Sequence, residues 1–349
     1  MLKKTSNWND PVFDTIIDVR APSEFAEDHI IGSINCPVLN DVERSEVGFI
    51  YKNISGYRAK LKGASLTAKN IAMHIESQFS QFSGAWQPLV YCWRGGQRSR
   101  AMALVMQEIG WRVTLLDGGH KKYRENIIDL ASSLPKKLRF VLISGKTGSG
   151  KTILLKKLDQ LGAQVLDLEA LAKHRGSLLG SFPSNQQPSQ KYFESLIVTK
   201  LLGFSGSRVI FVESESSKVG NLHIPAGLWR AMKIAPFVEL VVPPQVRANF
   251  LIENYSDLKQ DSERFKKLFL RAKSRINSEV ISNWEVLLEQ RNWGSLALSL
   301  IKNYYDPSYK LHQTRRDRTK ILNIKSDRLT DIKMRNFAEQ IIDFTNDSF

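Results

Sequence analysis

Cysteine is scarce in this chain: two residues in 349, Cys36 and Cys92. Two thiols cannot build a disulfide framework, and their separation is not that of a metal finger. A chain that keeps a working thiol fits a reducing, cytoplasmic location. Long apolar runs are also missing. Nothing approaches the roughly 20 residues of a membrane helix, so no membrane partner is expected. The first residues, MLKKTSNWNDP, carry lysines but no apolar stretch or small-residue cleavage site, and no secretory signal is expected there. No internal repeat or low-complexity tract is present. Acidic residues are few, 35 Asp and Glu against 50 Lys and Arg, for a net charge of +15. The shortfall is uneven. Residues 1–130 hold 16 cations and 14 anions, a net of +2, whereas residues 131–349 hold 34 and 21, a net of +13. A basic second half suits a polyanion such as nucleic acid. A solvated surface would read the same way.

What is present is alternation. TIIDVR, SINCPV, PLVYC and RVTLLDGG read as short buried strands. Between them lie helical stretches such as LTAKNIAMHIESQF and SRAMALVMQEIG, the latter stopped by Gly110. Short apolar runs alternating with helical periodicity imply an α/β fold with parallel sheets. The stretch 131-ASSLPKK-137 is small, polar and proline-containing, and marks a boundary. After it, LRFVLISG, AQVLD, RVIFVE and FVELVVPP read as strands, and the pattern from about 245 onward is mainly helical and basic. Three segments are therefore expected: a parallel-sheet domain over 1–134, a second α/β domain over 135–245, and a basic helical region over 246–349 that completes the second domain.

The strongest motif is 145-GKTGSGKT-152, which fits G-x-x-x-x-G-K-[ST] between a strand and a helix. Gly145, Gly148 and Gly150 permit a tight turn, so the amides of Lys146, Thr147 and Ser149 can converge on one anion. The helix start adds partial positive charge, Lys151 adds a full charge, and Thr152 is a magnesium ligand candidate. The motif implies a polyphosphate and does not by itself imply ATP hydrolysis. Asp167 and Glu213 each end a strand. Asp167 is either an acceptor-side carboxylate or a helix cap, and Glu213 is either a magnesium-side or a surface carboxylate.

Cys92 ends the strand PLVYC, where α/β sheets place their ligands. After it come Arg94, Gly95, Gly96, Gln97, Arg98 and a helix start. These features favour the thiolate, the nucleophilic form, or cradle an anion carried on the sulfur. Cys36, within SINCPV, reads as a core cysteine. Asp18 and Arg20, in IIDVR, read as a structural charge pair, with direct catalysis as the alternative.

IIDVRAPSEFAEDHIIGSINCPV, YCWRGGQRS and LDGGHKKYR together resemble a rhodanese domain over about 120 residues. Arg98 stands six positions after Cys92, not five, which lengthens the loop and suits a tetrahedral oxyanion. Followed by the P-loop, DLEALAKHRGSLLG and YYDPSY, the chain resembles the tRNA 2-selenouridine synthase family across nearly its full length. That resemblance implies two reactions at the wobble uridine of tRNA. The 2-thiouridine sulfur is geranylated from geranyl diphosphate, and S-geranyl is then replaced by selenium from selenophosphate. No tightly bound cofactor is implied; magnesium and a selenophosphate-supplying enzyme are the partners it leaves open, besides tRNA. Cys92, Arg94 and Arg98 would handle the selenium donor, and the P-loop the diphosphate. HRGSLLGSFP would line the geranyl channel, with His174 and Arg175 touching diphosphate or tRNA.

The tRNA contacts are expected on the basic half. Arg264, Lys267, Arg271 and Arg275 recur at helical spacing. Arg315 and Arg316 follow Tyr305, a pattern suited to phosphate contact and base stacking. Three other readings stay open: an ATP-dependent tRNA sulfurtransferase using a Cys92 persulfide, a cysteine phosphatase fused to a nucleotide kinase, and an RNA-binding protein without activity.

Overall fold

The computed structural model describes residues 2–177, 179–182, 186–214, 216–313 and 319–348, so Arg315 and Arg316 lie outside the described residues. The chain divides into two units, Met1–Leu130 with Ser189–Thr199, and Ala131–Pro188 with Lys200–Phe349.

In the first unit, β1 (Lys3–Thr5), β2 (Thr15–Asp18), β3 (Ile34–Asn35), β4 (Pro88–Tyr91) and β5 (Thr114–Leu116) form one sheet. The strand order is β1-β5-β4-β2-β3, and every pairing is parallel. All four residues of β4 are buried, as a strand covered on both faces requires. Cys36, Val90, Cys92, Met102 and Trp111 belong to the core beneath it. The helices Gln97–Ile109 and Gly119–Ser133 follow β4 and β5 directly. Two features were not legible as strands and helices read one by one. The helix Asp41–Asn53 pairs with Gly56–His74 as a hairpin between β3 and β4. Most of the helix Gln190–Leu202, which the sequence reading gave to the second domain, belongs here. Its Phe193, Ile197 and Val198 are buried, and Ser195 Oγ donates to Asp28 Oδ1 at 2.8 Å.

In the second unit, β6 (Arg139–Gly145), β7 (Gln164–Leu166), β8 (Val209–Glu213), β11 (Phe237–Val241) and β12 (Lys320–Lys325) form a parallel sheet. Strands β9 (Lys218–Val219) and β10 (Leu222–His223) form a small antiparallel hairpin. The order β12-β11-β6-β8-β7 puts β6, which feeds the P-loop, at the centre. The helix Lys151–Gln160 buries Leu154, Leu155 and Leu158. Beyond Pro244 the chain is helical, as expected, around a separate apolar core that includes Phe265, Phe269, Trp284 and Leu300. The exception is β12, an edge strand whose KILNIK sequence is only partly buried and so shows weak periodicity. Among the described residues no helix is long and apolar enough to cross a membrane.

Candidate active-site loops

Cys92 leaves β4 almost fully buried, at 3% exposure. Its Sγ accepts from the Gly96 amide at 3.3 Å and from Ser99 Oγ at 3.2 Å. The loop is pinned from behind by the segment after β5. His120 N donates to Cys92 O at 2.8 Å and Lys121 N to Trp93 O at 2.9 Å. This approach demands glycine at 119: φ is +58°, and a Cβ there would stand 2.3 Å from Cys92 O. Arg94, Gly96 and Gln97 are exposed at the mouth, and Gly95 turns the loop at φ +66°. Arg98 points elsewhere. Its Nη1 lies 2.8 Å from Glu24 Oε2, which also meets Arg44 Nε at 2.9 Å. Burial works against the Glu24 charge, but Arg98 and Arg44 outweigh it and hold the carboxyl below its ordinary value. Asp18 and Arg20 form a fully buried pair at 2.6 Å, with Arg20 also donating to Asp28 O. That is a structural brace, in keeping with the sequence expectation. Cys36 is equally buried, donates to Gln78 Oε1 at 3.4 Å, and has its thiol pushed up to about 12 by burial, with Asp18 adding to the effect.

The P-loop is held by a clamp that the motif does not contain. Arg247 is 1% exposed. It donates to Thr147 O at 3.2 Å and makes two bonds to Asp306, at 2.9 and 2.8 Å. Lys146 reaches the same carboxylate at 3.1 Å. Gly148 sits against this clamp at φ +80°, with Arg247 O 2.9 Å from where a Cβ would lie. Burial opposes the Asp306 charge, yet Arg247 and Lys146 prevail and keep its carboxyl below the usual carboxylate range. Asp306 is the acid of YYDPSY, so that stretch braces the phosphate loop. Lys151 Nζ donates to Gly145 O at 2.8 Å and lies 6.0 Å from the Tyr309 ring.

Thr152 Oγ1 donates to Glu169 Oε2 at 3.1 Å, and the Glu169 amide donates to Glu213 Oε1 at 2.5 Å. Glu169 was not singled out from sequence, because its carboxylate meets Thr152 only through the strand order. Asp167 caps the helix Leu168–Leu171 by accepting from Ala170 N at 2.8 Å, and burial pushes its carboxyl up.

A cleft of about 950 Å³ opens over the P-loop, with Asp167, Glu169, His174, Arg175 and Arg275 in its walls. Arg175 lies 4.4 Å from the Phe182 ring and 4.5 Å from Tyr255, and is paired with Asp257 at 2.9 Å. Burial, then the Arg175 charge, push the His174 imidazole down, and its Nδ1 accepts from Gly176 N at 3.1 Å. Beside the cleft is an apolar slot of about 70 Å³ whose walls include Leu179, Leu258, Phe265, Trp293, Leu296 and Leu300. Thr147, Ser177, Leu251, Tyr255 and Tyr305 border both spaces.

Two expected tRNA contacts are placed differently by the structure. Tyr305 is a wall between the cleft and the slot, where burial raises its hydroxyl pKa. The four-cation helical face is broken, because the helix Ser262–Ala272 ends before Arg275, which faces the cleft instead. The chain turns there because Asn277 caps the next helix. Arg264 is engaged with Asp261 at 2.8 Å and with Ser181 O at 2.7 Å, while Lys267 and Arg271 are exposed.

Two domain families match the chain, one for each loop-bearing segment. Residues 138–278 match the family described as "tRNA 2-selenouridine synthase AAA domain", and residues 1–126 match "Rhodanese-like domain". A tRNA 2-selenouridine synthase of Psychromonas ingrahamii is 33% identical over 84% of this chain and 87% of its own length. Those of Sulfurovum sp. and Aeromonas salmonicida are 30% and 31% identical, each over 88% of this chain and over 90% and 89% of their own lengths. On these matches, and with both motif loops in place, the chain belongs to the tRNA 2-selenouridine synthase family.

Proposed function

We propose that this chain exchanges sulfur for selenium at C2 of the wobble uridine of tRNA, using geranyl diphosphate and selenophosphate. The observation that carries this reading is the apolar slot beside the P-loop cleft. A diphosphate held by the loop amides has hydrocarbon-lined space next to it, across Leu251 and Tyr255. The slot's 70 Å³ is about half of a ~150 Å³ cavity that binds benzene, so it suits the branched end of an isoprenyl chain.

In the first step the 2-thiouridine sulfur attacks C1 of the geranyl group. The C–S bond forms as the C–O bond to diphosphate breaks, and the leaving charge falls on the P-loop amides and Lys151. Thr152, with the Glu169 carboxylate 3.1 Å away and Glu213 bonded to the Glu169 amide, fits the hard-oxygen donor set of magnesium. Such an ion would neutralise part of the diphosphate charge. In the second step selenium attacks C2 and geranylthiol leaves. The P–Se bond of selenophosphate is cleaved and the phosphoryl group passes to water. Because Arg98 is committed to Glu24, the Cys92 loop amides and Arg94 carry recognition of that phosphate. Such a donor calls for an enzyme that makes selenophosphate.

Calorimetric titration with geranyl diphosphate, inorganic diphosphate and ATP tests the donor. Ala297 borders the slot and is only half buried, so Ala297→Phe fills the space with little risk to the fold. Geranyl diphosphate should bind roughly 200-fold tighter than diphosphate, from about four buried carbons at ~0.8 kcal/mol each. Ala297→Phe should erase that difference and leave diphosphate affinity alone. ATP binding more tightly than geranyl diphosphate, with no effect of Ala297→Phe, would favour ATP-dependent sulfur transfer through a Cys92 persulfide.

A further inference from the structure

The first unit is nearly neutral, yet one part of it is not. From Val47 to Ile75 there is no Asp or Glu, while Lys52, Arg58, Lys60, Lys62 and Lys69 give five positive charges. This stretch makes most of the helical hairpin Asp41–Asn53 and Gly56–His74. The hairpin is also unusually apolar on its outside. Phe49 is 61% exposed, Tyr51 64%, Ile54 56%, Tyr57 74% and Leu61 63%. These side chains are not there for the core: the first helix has no fully buried residue, and the second buries only Ala59, Asn70 and Ile71. Exposed apolar groups clustered in this way mark a contact surface.

We infer that the tip of the hairpin, residues 51–60, is an RNA-docking surface of the Cys92 unit, with Tyr51, whose ring lies beside Gly56, and Tyr57 stacking on unpaired bases while Lys52, Arg58 and Lys60 hold the backbone. Three arguments select RNA. Lys62 is paired with Glu46 at 3.0 Å, but around the tip the aromatic rings interleave with cations and no acid, which matches single-stranded nucleic acid in both its faces, the bases and the phosphates. Lysine is depleted at the centre of protein–protein interfaces, and here it is interspersed with the apolar groups. The hairpin is also continuous with the thiol loop. Its first helix is tied at Arg44 to Glu24 at 2.9 Å, and Glu24 is tied to Arg98 at 2.8 Å. Asp41 in the same helix accepts from Ser23 N at 3.1 Å, just before Glu24. The base of the hairpin is therefore joined to the loop that carries Cys92, about 10 Å along the first helix from Tyr51.

This inference rests on the reading of tRNA as substrate, and the test separates the two. Binding of tRNA bearing wobble 2-thiouridine is measured by fluorescence anisotropy over a range of salt concentrations. The variants are Tyr51→Ala with Tyr57→Ala, and Lys52→Gln with Arg58→Gln and Lys60→Gln. All five positions are exposed, and circular dichroism with unchanged diphosphate affinity checks the fold. The aromatic variant should bind about tenfold more weakly with the salt dependence unchanged. The charge variant should bind more weakly with a slope lower by about 0.7 for each lost contact. Wild-type binding to tRNA with both variants equal to it in affinity and slope would overturn the inference. If, in addition, only the wild type self-associates in sedimentation, the face belongs to a second copy of the chain. Failure of the wild type to bind tRNA would remove the substrate reading and the inference together.

Discussion

Arg247 carries a full charge at 1% exposure, and its compensation comes from one carboxylate. Removing one partner of a buried pair costs about 3–5 kcal/mol, because the other charge is left behind. Asp306→Ala should lose about that much stability in urea unfolding, and diphosphate affinity with it, since Arg247 also holds Thr147 O. The pH dependence follows from the sign of the shift. Asp306 has a lowered folded value, so its contribution is complete above the ordinary carboxylate pKa and is lost as pH falls through the depressed one. Acid titration of diphosphate binding should show this loss in the wild type and not in Asp306→Asn. At the thiol, Ser99→Ala removes one of two donors to Cys92 Sγ. A hydrogen bond contributes about 0.5–1.5 kcal/mol net, so Cys92 alkylation should slow by up to roughly tenfold. Cys36, pushed up to about 12 by burial, should stay unmodified at pH 8. Cys92, Lys151 and Thr152 stood out in the sequence because each belongs to a short local motif. Glu24, Glu169, Arg247 and Asp306 were not legible because each acts on a loop far away along the chain.

Among the elements, the helix Gln190–Leu202 has the clearest task. Its Ser195 donates to Asp28, a carboxylate at 1% exposure whose Oδ2 lies 3.2 Å from His120 Nε2 and 3.9 Å from Arg124 Nη1. The His120 amide in turn holds Cys92 O. Asp28→Asn should therefore disturb the thiol loop from behind. Alkylation kinetics of Cys92 should change, while diphosphate titration of the P-loop stays as in the wild type. Equal losses at both loops would mean general unfolding and contradict this role. Most strands of the two sheets were readable as short apolar runs between turn residues, but β1 was not, since KKT is polar and owes its place to pairing with β5. The hairpin helix Asp41–Asn53 was not, since its apolar residues face outward and give no core-facing stripe. Nor was β12, which owes its place to pairing with β11 more than to its own pattern. The helix Ser262–Ala272 was legible in existence but not in length, so Arg275 falls off the helical face that the sequence spacing implied.

For the whole molecule, charge and motif order were informative where tertiary placement was not. The net of +13 beyond residue 130 points to a polyanion, but the five cations of the hairpin are hidden in a first half whose net is only +2. If the two loops serve two successive reactions on one nucleoside, nucleoside mass spectrometry of tRNA bearing wobble 2-thiouridine will resolve both, after incubation with geranyl diphosphate and then selenophosphate. The wild type should yield first the S-geranyl and then the seleno nucleoside. Lys151→Ala should form neither from 2-thiouridine but still selenate pre-geranylated tRNA, and Cys92→Ser should stop at the S-geranyl product. An unchanged nucleoside with the wild type and both donors, or loss of both steps in each variant, would contradict the account.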